Sequence, residues 1–214
     1  MLENNQQLLE HLIHNTRVVE ESSNLAKAFS LINRRYFVPP DYEAEAYEDY
    51  SLPIGNGQTI SQPTTVGLML SLLDPRKGER VLDVGFGSGW TSAILGASVG
   101  KEGEVVGIDV FDDFLEAGPV HLEKYKDKVA PTFFYSASDK KNIFSRSYDK
   151  ILINASVVNE VPKEFKKALK EGGMLVAPID DKLCLFRLQN KKLKQEKCLE
   201  GFSFVPYIYE QPQK

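Results

Sequence analysis

A chain of 214 residues with 42% hydrophobic and 26% charged side chains carries enough apolar material for one well-buried domain. Its 26 basic and 30 acidic residues leave a net charge of -4, which argues against a general nucleic-acid binder, because neutralising phosphates takes clustered Lys and Arg. Two cysteines, Cys184 and Cys198, are too few for a disulfide framework and form no C-x-x-C pair, so reduced thiols and a cytoplasmic location are expected.

Residues 1–7 lack the basic start and apolar core of a signal peptide, and no apolar run approaches the ~20 residues that span a bilayer. Neither a membrane nor a nucleic acid is therefore expected as a partner. Leu8, Leu9, Leu12 and Ile13 share one helical face, as do Leu25, Ala28, Phe29 and Ile32, so two N-terminal helices are predicted. The second must stop before Pro39-Pro40, since proline disfavours helical geometry in the residue ahead of it. Residues 41–57, acidic and rich in tyrosine, read as an extended surface segment. A helix follows from about 64 to 73. Beyond it, strands are predicted near 81–84, 105–109, 132–136, 150–154, 174–177, 183–188 and 202–205, with helices over 90–99, 112–126 and 162–170. This alternation implies an α/β fold with a doubly wound, mostly parallel sheet. One domain is expected over 1–214, divided into an N-terminal helical and extended part (1–57) and a core (58–214).

The most informative stretch is Arg80-Val-Leu-Asp-Val-Gly-Phe-Gly-Ser-Gly-Trp90. A short buried strand runs into alternate glycines, Gly85, Gly87 and Gly89, with Phe86 and Ser88 between them, and then into a helix. Glycine permits positive φ and close approach of backbone to a ligand, and a helix start offers free N–H groups. The spacing is Asp83-x-Gly85-x-Gly87-x-Gly89, not the G-x-G-x-x-G of dinucleotide sites. S-adenosylmethionine presents a zwitterionic amino acid, to which the Asp83 carboxylate and backbone N–H groups are both complementary. A second acid, Asp109, ends the next apolar run, where a carboxylate can accept both hydroxyls of a ribose. The stretch reads as the cofactor site of a methyltransferase.

Several further segments resemble the protein-L-isoaspartate (D-aspartate) O-methyltransferase family. They are Tyr36-Phe-Val-Pro39, Ala46-Tyr-Glu-Asp-Tyr-Ser-Leu-Pro-Ile-Gly55, Gly57-Gln-Thr-Ile-Ser-Gln-Pro63, Tyr148-Asp-Lys-Ile-Leu-Ile153, Leu169-Lys-Glu-Gly-Gly173 and Phe204-Val-Pro206. The resemblance implies the methyltransferase variant of the doubly wound sheet with an added N-terminal helical part. It implies S-adenosylmethionine as cofactor and isoaspartyl residues of damaged proteins or peptides as substrates. Gln58, Thr59 and Ile60 would lie over the cofactor, and Ser61 matches the catalytic position. The family's acid after the fourth strand, which reaches the adenine, has Asp139 as its nearest match here, with Ser138 as the alternative. The turn carries Phe86 and ends in Trp90, where Thr and Tyr are more usual, and the loop Asn154-Ala-Ser-Val-Val-Asn159 lacks the usual proline. Methylation of a dedicated peptide aspartate or small carboxylate, or a turnover-dead cofactor binder, are the other readings the sequence leaves open.

Such a reaction needs no metal and no general base. A carboxylate is already ionised at pH 7, and the rate comes from alignment and water exclusion, which can supply ~7–11 kcal/mol. No H-E-x-x-H, Cys/His cluster or G-x-S-x-G elbow is present. His11, His14 and His121 read as surface residues, and Lys163, Lys166, Lys167 and Lys170 as the wet face of a helix.

Overall fold

The computed structural model describes residues 2–208. A seven-stranded sheet forms the centre, built from β3 (Arg80–Val84), β4 (Glu104–Asp109), β5 (Thr132–Ser136), β6 (Tyr148–Ile153), β7 (Leu169–Ile179), β8 (Lys182–Gln189) and β9 (Lys192–Glu200). Their order is β5-β4-β3-β6-β7-β8-β9; the first five run parallel, and β8 and β9 add on antiparallel. The strand order reverses between β3 and β6, which opens a crevice at their carboxyl ends.

Alternation along β3 divides the core. Val81 packs with the N-terminal helices and α4 (Trp90–Val99), while Leu82 and Val84 face the side covered by α6 (Lys140–Phe144) and α7 (Lys163–Ala168). The N-terminal part comprises α1 (Asn5–Glu10), α2 (Asn24–Leu31) and α3 (Pro63–Leu73), joined by 3-10 turns at Arg34–Phe37 and Pro40–Glu45. Proline at the first position of α3 costs no hydrogen bond there. α5 (Asp112–Glu123) places Asp112 and Asp113 in its first turn, where the helix dipole favours them.

Several expectations are corrected. The first helix gives way at His11 to a wider π-helical turn through Asn15. Within the segment read as merely extended, Leu52–Gly55 (β1) and Gln58–Ile60 (β2) pair as a hairpin. The helix expected to 170 stops at Ala168, because Leu169 is already extended (φ -80°, ψ 134°) and pairs with Tyr148 at the start of β7. The strand expected at 202–205 does not form: Gly201 (φ +88°) ends β9, and only Pro206 bridges to Ser156. β9 itself, rich in lysine and glutamate, escapes a reading based on hydrophobic alternation. Its pairing with β8 sets Cys184 opposite Cys198 with Cα atoms 4.1 Å apart, and the two are joined in a disulfide, contrary to the reduced thiols expected. No described helix is long and apolar enough to cross a membrane.

Candidate active site

The glycine turn carries positive φ at Gly85 (+73°), Gly87 (+54°) and Gly89 (+88°), which folds the backbone into a shallow cradle ahead of α4. A Cβ on Gly87 would stand 2.9 Å from the Ile54 side chain of β1, so the hairpin lies directly on the turn. Asp109, at the end of β4, fixes it from the other side. One carboxylate oxygen accepts the Gly87 N–H at 2.9 Å, and the other accepts those of Val110 (2.8 Å) and Phe111 (3.2 Å). Burial pushes the Asp109 carboxyl upward against the pull of these three N–H groups. The Phe86 ring is spent inward, 4.5 Å from that of Phe134, in space that Gly107 and Gly118 leave free.

Around the turn opens a cavity of about 510 Å³. Gln58, Thr59, Ile60 and Ser61 line it from the hairpin side, Gly85, Phe86, Gly87 and Ser88 from the turn, and Asp109 from β4. The sequence-predicted residues thus converge, with three exceptions. Gly89 shapes the turn without reaching the wall. Asp83 is fully buried behind the turn rather than facing the cavity. Its oxygens accept from Thr91 (2.8 Å) and Ser92 (2.6 Å) in the first turn of α4, and from Asn154 (2.7 Å) after β6. Burial raises its pKa in spite of these donors. Asp83 therefore clamps the supports of the cradle. Asp139 caps α6 through the Asn142 N–H (3.2 Å) and side-chain amide (2.7 Å); neither it nor Ser138 enters the wall, where Ala137 stands instead.

Residues that sequence reasoning passed over complete the site. Arg34 has no exposed surface. Its guanidinium donates to the carbonyls of Ala46 (2.8 Å), Glu48 (3.2 Å), Tyr50 (3.1 Å) and Ser61 (3.1 Å) and lies 5.2 Å from the centre of the Trp90 ring. Burial lowers its pKa to about 10, partly offset by Asp49 and Tyr50, so it stays charged at neutral pH. Asp49 stands in the wall and holds the start of α3, accepting the Thr64 N–H (2.8 Å) and hydroxyl (2.7 Å), with His11 at 3.1 Å. His121, expected on the surface, is half-buried and donates from Nδ1 to the Ser88 carbonyl at 2.8 Å. Ser203–Ile208 cross the cavity mouth, stapled to the loop after β6 by the Ser156 N–H to Val205 and the Tyr207 N–H to Ser156, both 2.8 Å. The cavity wall contains no Lys or Arg among the described residues, and its only carboxylates are Asp49 and Asp109. Among the described residues no group of three or more His, Cys, Asp or Glu is placed to hold a metal ion.

An acid-tipped glycine turn at the switch point of such a sheet, opening on a cavity of this size, defines an S-adenosylmethionine-dependent methyltransferase. The sequence model of the protein-L-isoaspartate(D-aspartate) O-methyltransferase family matches residues 3–211, and the chain belongs to that family. It is 39% identical over 158 residues to a protein-L-isoaspartate O-methyltransferase of Aeropyrum pernix, a match spanning 74% of this chain and 60% of that relative. It is 34% identical to the one of Methanopyrus kandleri, over 89% of this chain and 85% of the other. In structure it resembles a Plasmodium falciparum chain of the family crystallised with S-adenosyl-L-homocysteine, with a TM-score of 0.82 at 21% identity, covering 97% of this chain and 99% of that one.

Proposed function

We propose that this chain methylates the free carboxylate of L-isoaspartyl residues in damaged proteins and peptides, with Ser61 orienting that carboxylate. When bound, S-adenosylmethionine supplies a methyl group already activated by its sulfonium. The residues fit such a group: Gly85 and Gly87 present no Cβ to it, and the Asp109 oxygen that takes only the Gly87 N–H keeps an acceptor site for a ribose hydroxyl. The Ser61 hydroxyl has no protein partner among the hydrogen bonds of the described residues. It can donate to one substrate oxygen and leave the other aimed at the methyl. Ile54, Ile60, Val205 and Ile208 line the space and exclude water, so alignment in a dry site does the work that a base or metal does elsewhere.

The observation that carries this reading is that Ser61 and the glycine turn open into one cavity. Recognition by a hydroxyl and backbone groups, without a cationic pocket, suits a substrate defined by its altered main chain rather than by its neighbours. An isoaspartyl peptide and its aspartyl twin, offered with labelled cofactor, should differ by near-complete preference for the first across unrelated sequences. Preference for the aspartyl twin, or dependence on one flanking sequence, would point to a dedicated peptide target instead. Ser61→Ala should lower turnover far more than cofactor affinity; equal losses would make Ser61 a structural contact. The compartment we assign is the cytoplasm, and cell fractionation followed by detection of the protein tests it; recovery with secreted or envelope proteins would overturn the assignment.

A further inference from the structure

The β1–β2 turn reads Gly55-Asn56-Gly57, and Asn56 and Gly57 are both exposed with positive φ, +53° and +68°. Next to an asparagine, an amide nitrogen that belongs to glycine is unusually free to attack, because no Cβ shields it. The space around Gly57 is open: a Cβ built there meets no atom within 4 Å. We propose that Asn56 is a site of spontaneous deamidation whose products dismantle the cofactor cradle, so that the turn sets the working life of the protein.

The chemistry is self-contained. The Gly57 backbone nitrogen bonds to the Asn56 side-chain carbonyl carbon, the bond from that carbon to Nδ2 breaks, and ammonia leaves with the amide proton. Water then opens the five-membered imide at either carbonyl, giving aspartate or isoaspartate at position 56.

Both products damage the same contacts. The Asn56 amide donates to an Asp113 oxygen at 3.1 Å, which ties the turn to the first turn of α5. Either product loses that donor, and in aspartate a carboxylate takes its place against the Asp113 carboxylate, so attraction becomes repulsion. The branched product also adds an atom to the main chain between Gly55 and Gln58, which are paired across the turn. A two-residue turn has no slack to absorb it, and the register beside it must shift. Ile54, which lies on Gly87, and Gln58 and Thr59 in the cavity wall are the immediate neighbours that move.

The test ages the purified full chain at mildly alkaline pH and follows two quantities. One is the mass of the proteolytic peptide containing Asn56, which gains the difference between an amide and an acid. The other is affinity for S-adenosylhomocysteine by calorimetry. Affinity should fall in step with the mass change, by tenfold or more for the fully modified protein. Asn56→Gly, which accepts positive φ and has no amide to lose, should keep its affinity over the same period. Asn56→Asp should start weakened, as the unbranched product does. An unchanged mass at this peptide, modified protein of full affinity, or Asn56→Gly ageing as fast as the parent would each overturn the proposal. Methyl label transferred by fresh enzyme to aged but not fresh protein is a further readout; it rests on the substrate reading above, whereas mass and affinity do not.

Discussion

Replacing Asp83 separates a residue that supports the cofactor site from one that touches the cofactor. In Asp83→Ala the hydroxyls of Thr91 and Ser92 lose their acceptor, while the Asn154 amide keeps the Val84 carbonyl at 3.1 Å. Each orphaned buried donor costs about 1–3 kcal/mol, so the change should cost about 2–6 kcal/mol, a large part of a typical domain's stability. Asp83→Asn is the gentler probe. Both hydroxyls can rotate to accept from the new amide, and the penalty of a buried charge disappears, leaving a cost of about 1–2 kcal/mol. The pH dependence carries a definite sign. Burial raises the Asp83 pKa in the folded state, so the native protein carries no penalty below the ordinary carboxylate range and loses stability as pH rises through it towards the raised value. The Asp83→Asn cost should therefore be larger at mildly acidic than at neutral pH. Urea unfolding reads the stability, and calorimetry with S-adenosylhomocysteine reads the affinity. A supporting residue should show a clear stability loss with less than about tenfold weaker binding. An unchanged urea midpoint with binding weakened about a hundredfold would refute the reasoning and place Asp83 against the ligand.

Gly87→Ala should weaken cofactor binding and cost about 1–3 kcal/mol of stability, since it pairs a φ of +54° with a Cβ 2.9 Å from Ile54; thermal melts with and without ligand check both. Burial works to raise the Asp49 pKa, but hydrogen bonds from Thr64, His11 and Gln62 outweigh it and hold the value below the ordinary range. Its stabilisation is thus present above that range and lost as pH falls towards the lowered value, and Asp49→Asn should flatten the acid limb of the stability profile by about 1 kcal/mol. Reducing the Cys184–Cys198 bond should cost up to about 3 kcal/mol, as for a loop of ~15 residues, yet leave cofactor affinity nearly unchanged, because neither cysteine lines the cavity. Two free thiols titrating before any reductant is added would contradict this.

Chain order and residue type made part of this legible. The Gly85–Gly89 turn and Asp109 carry signals in their spacing, the Thr59–Ser61 strip carries one in its family resemblance, and the structure sets 85–88, Asp109 and 59–61 around one cavity. The direction of Asp83 was not legible, because β3 is buried on both faces and the residue type does not say which way an acid points. Arg34 was illegible for a different reason: an arginine is ordinarily exposed, and four carbonyl acceptors leave no trace in sequence. The Asp139 expectation rested on alignment to a shortened loop, where the chain uses the acid as a helix cap. The Cys184–Cys198 pairing follows from β8–β9 register, which cannot be read without β9.

Trp90 is the only tryptophan of the chain, and it stands in the cavity wall beneath the Arg34 guanidinium. The protein accordingly carries its own optical gauge. Intrinsic emission excited at the indole comes from the site alone, undiluted by any other indole. Ligand entry, loosening of the Arg34 clamp and loss of the hairpin over Gly87 all alter the surroundings of that one ring. Stopped-flow fluorescence can follow them without a label.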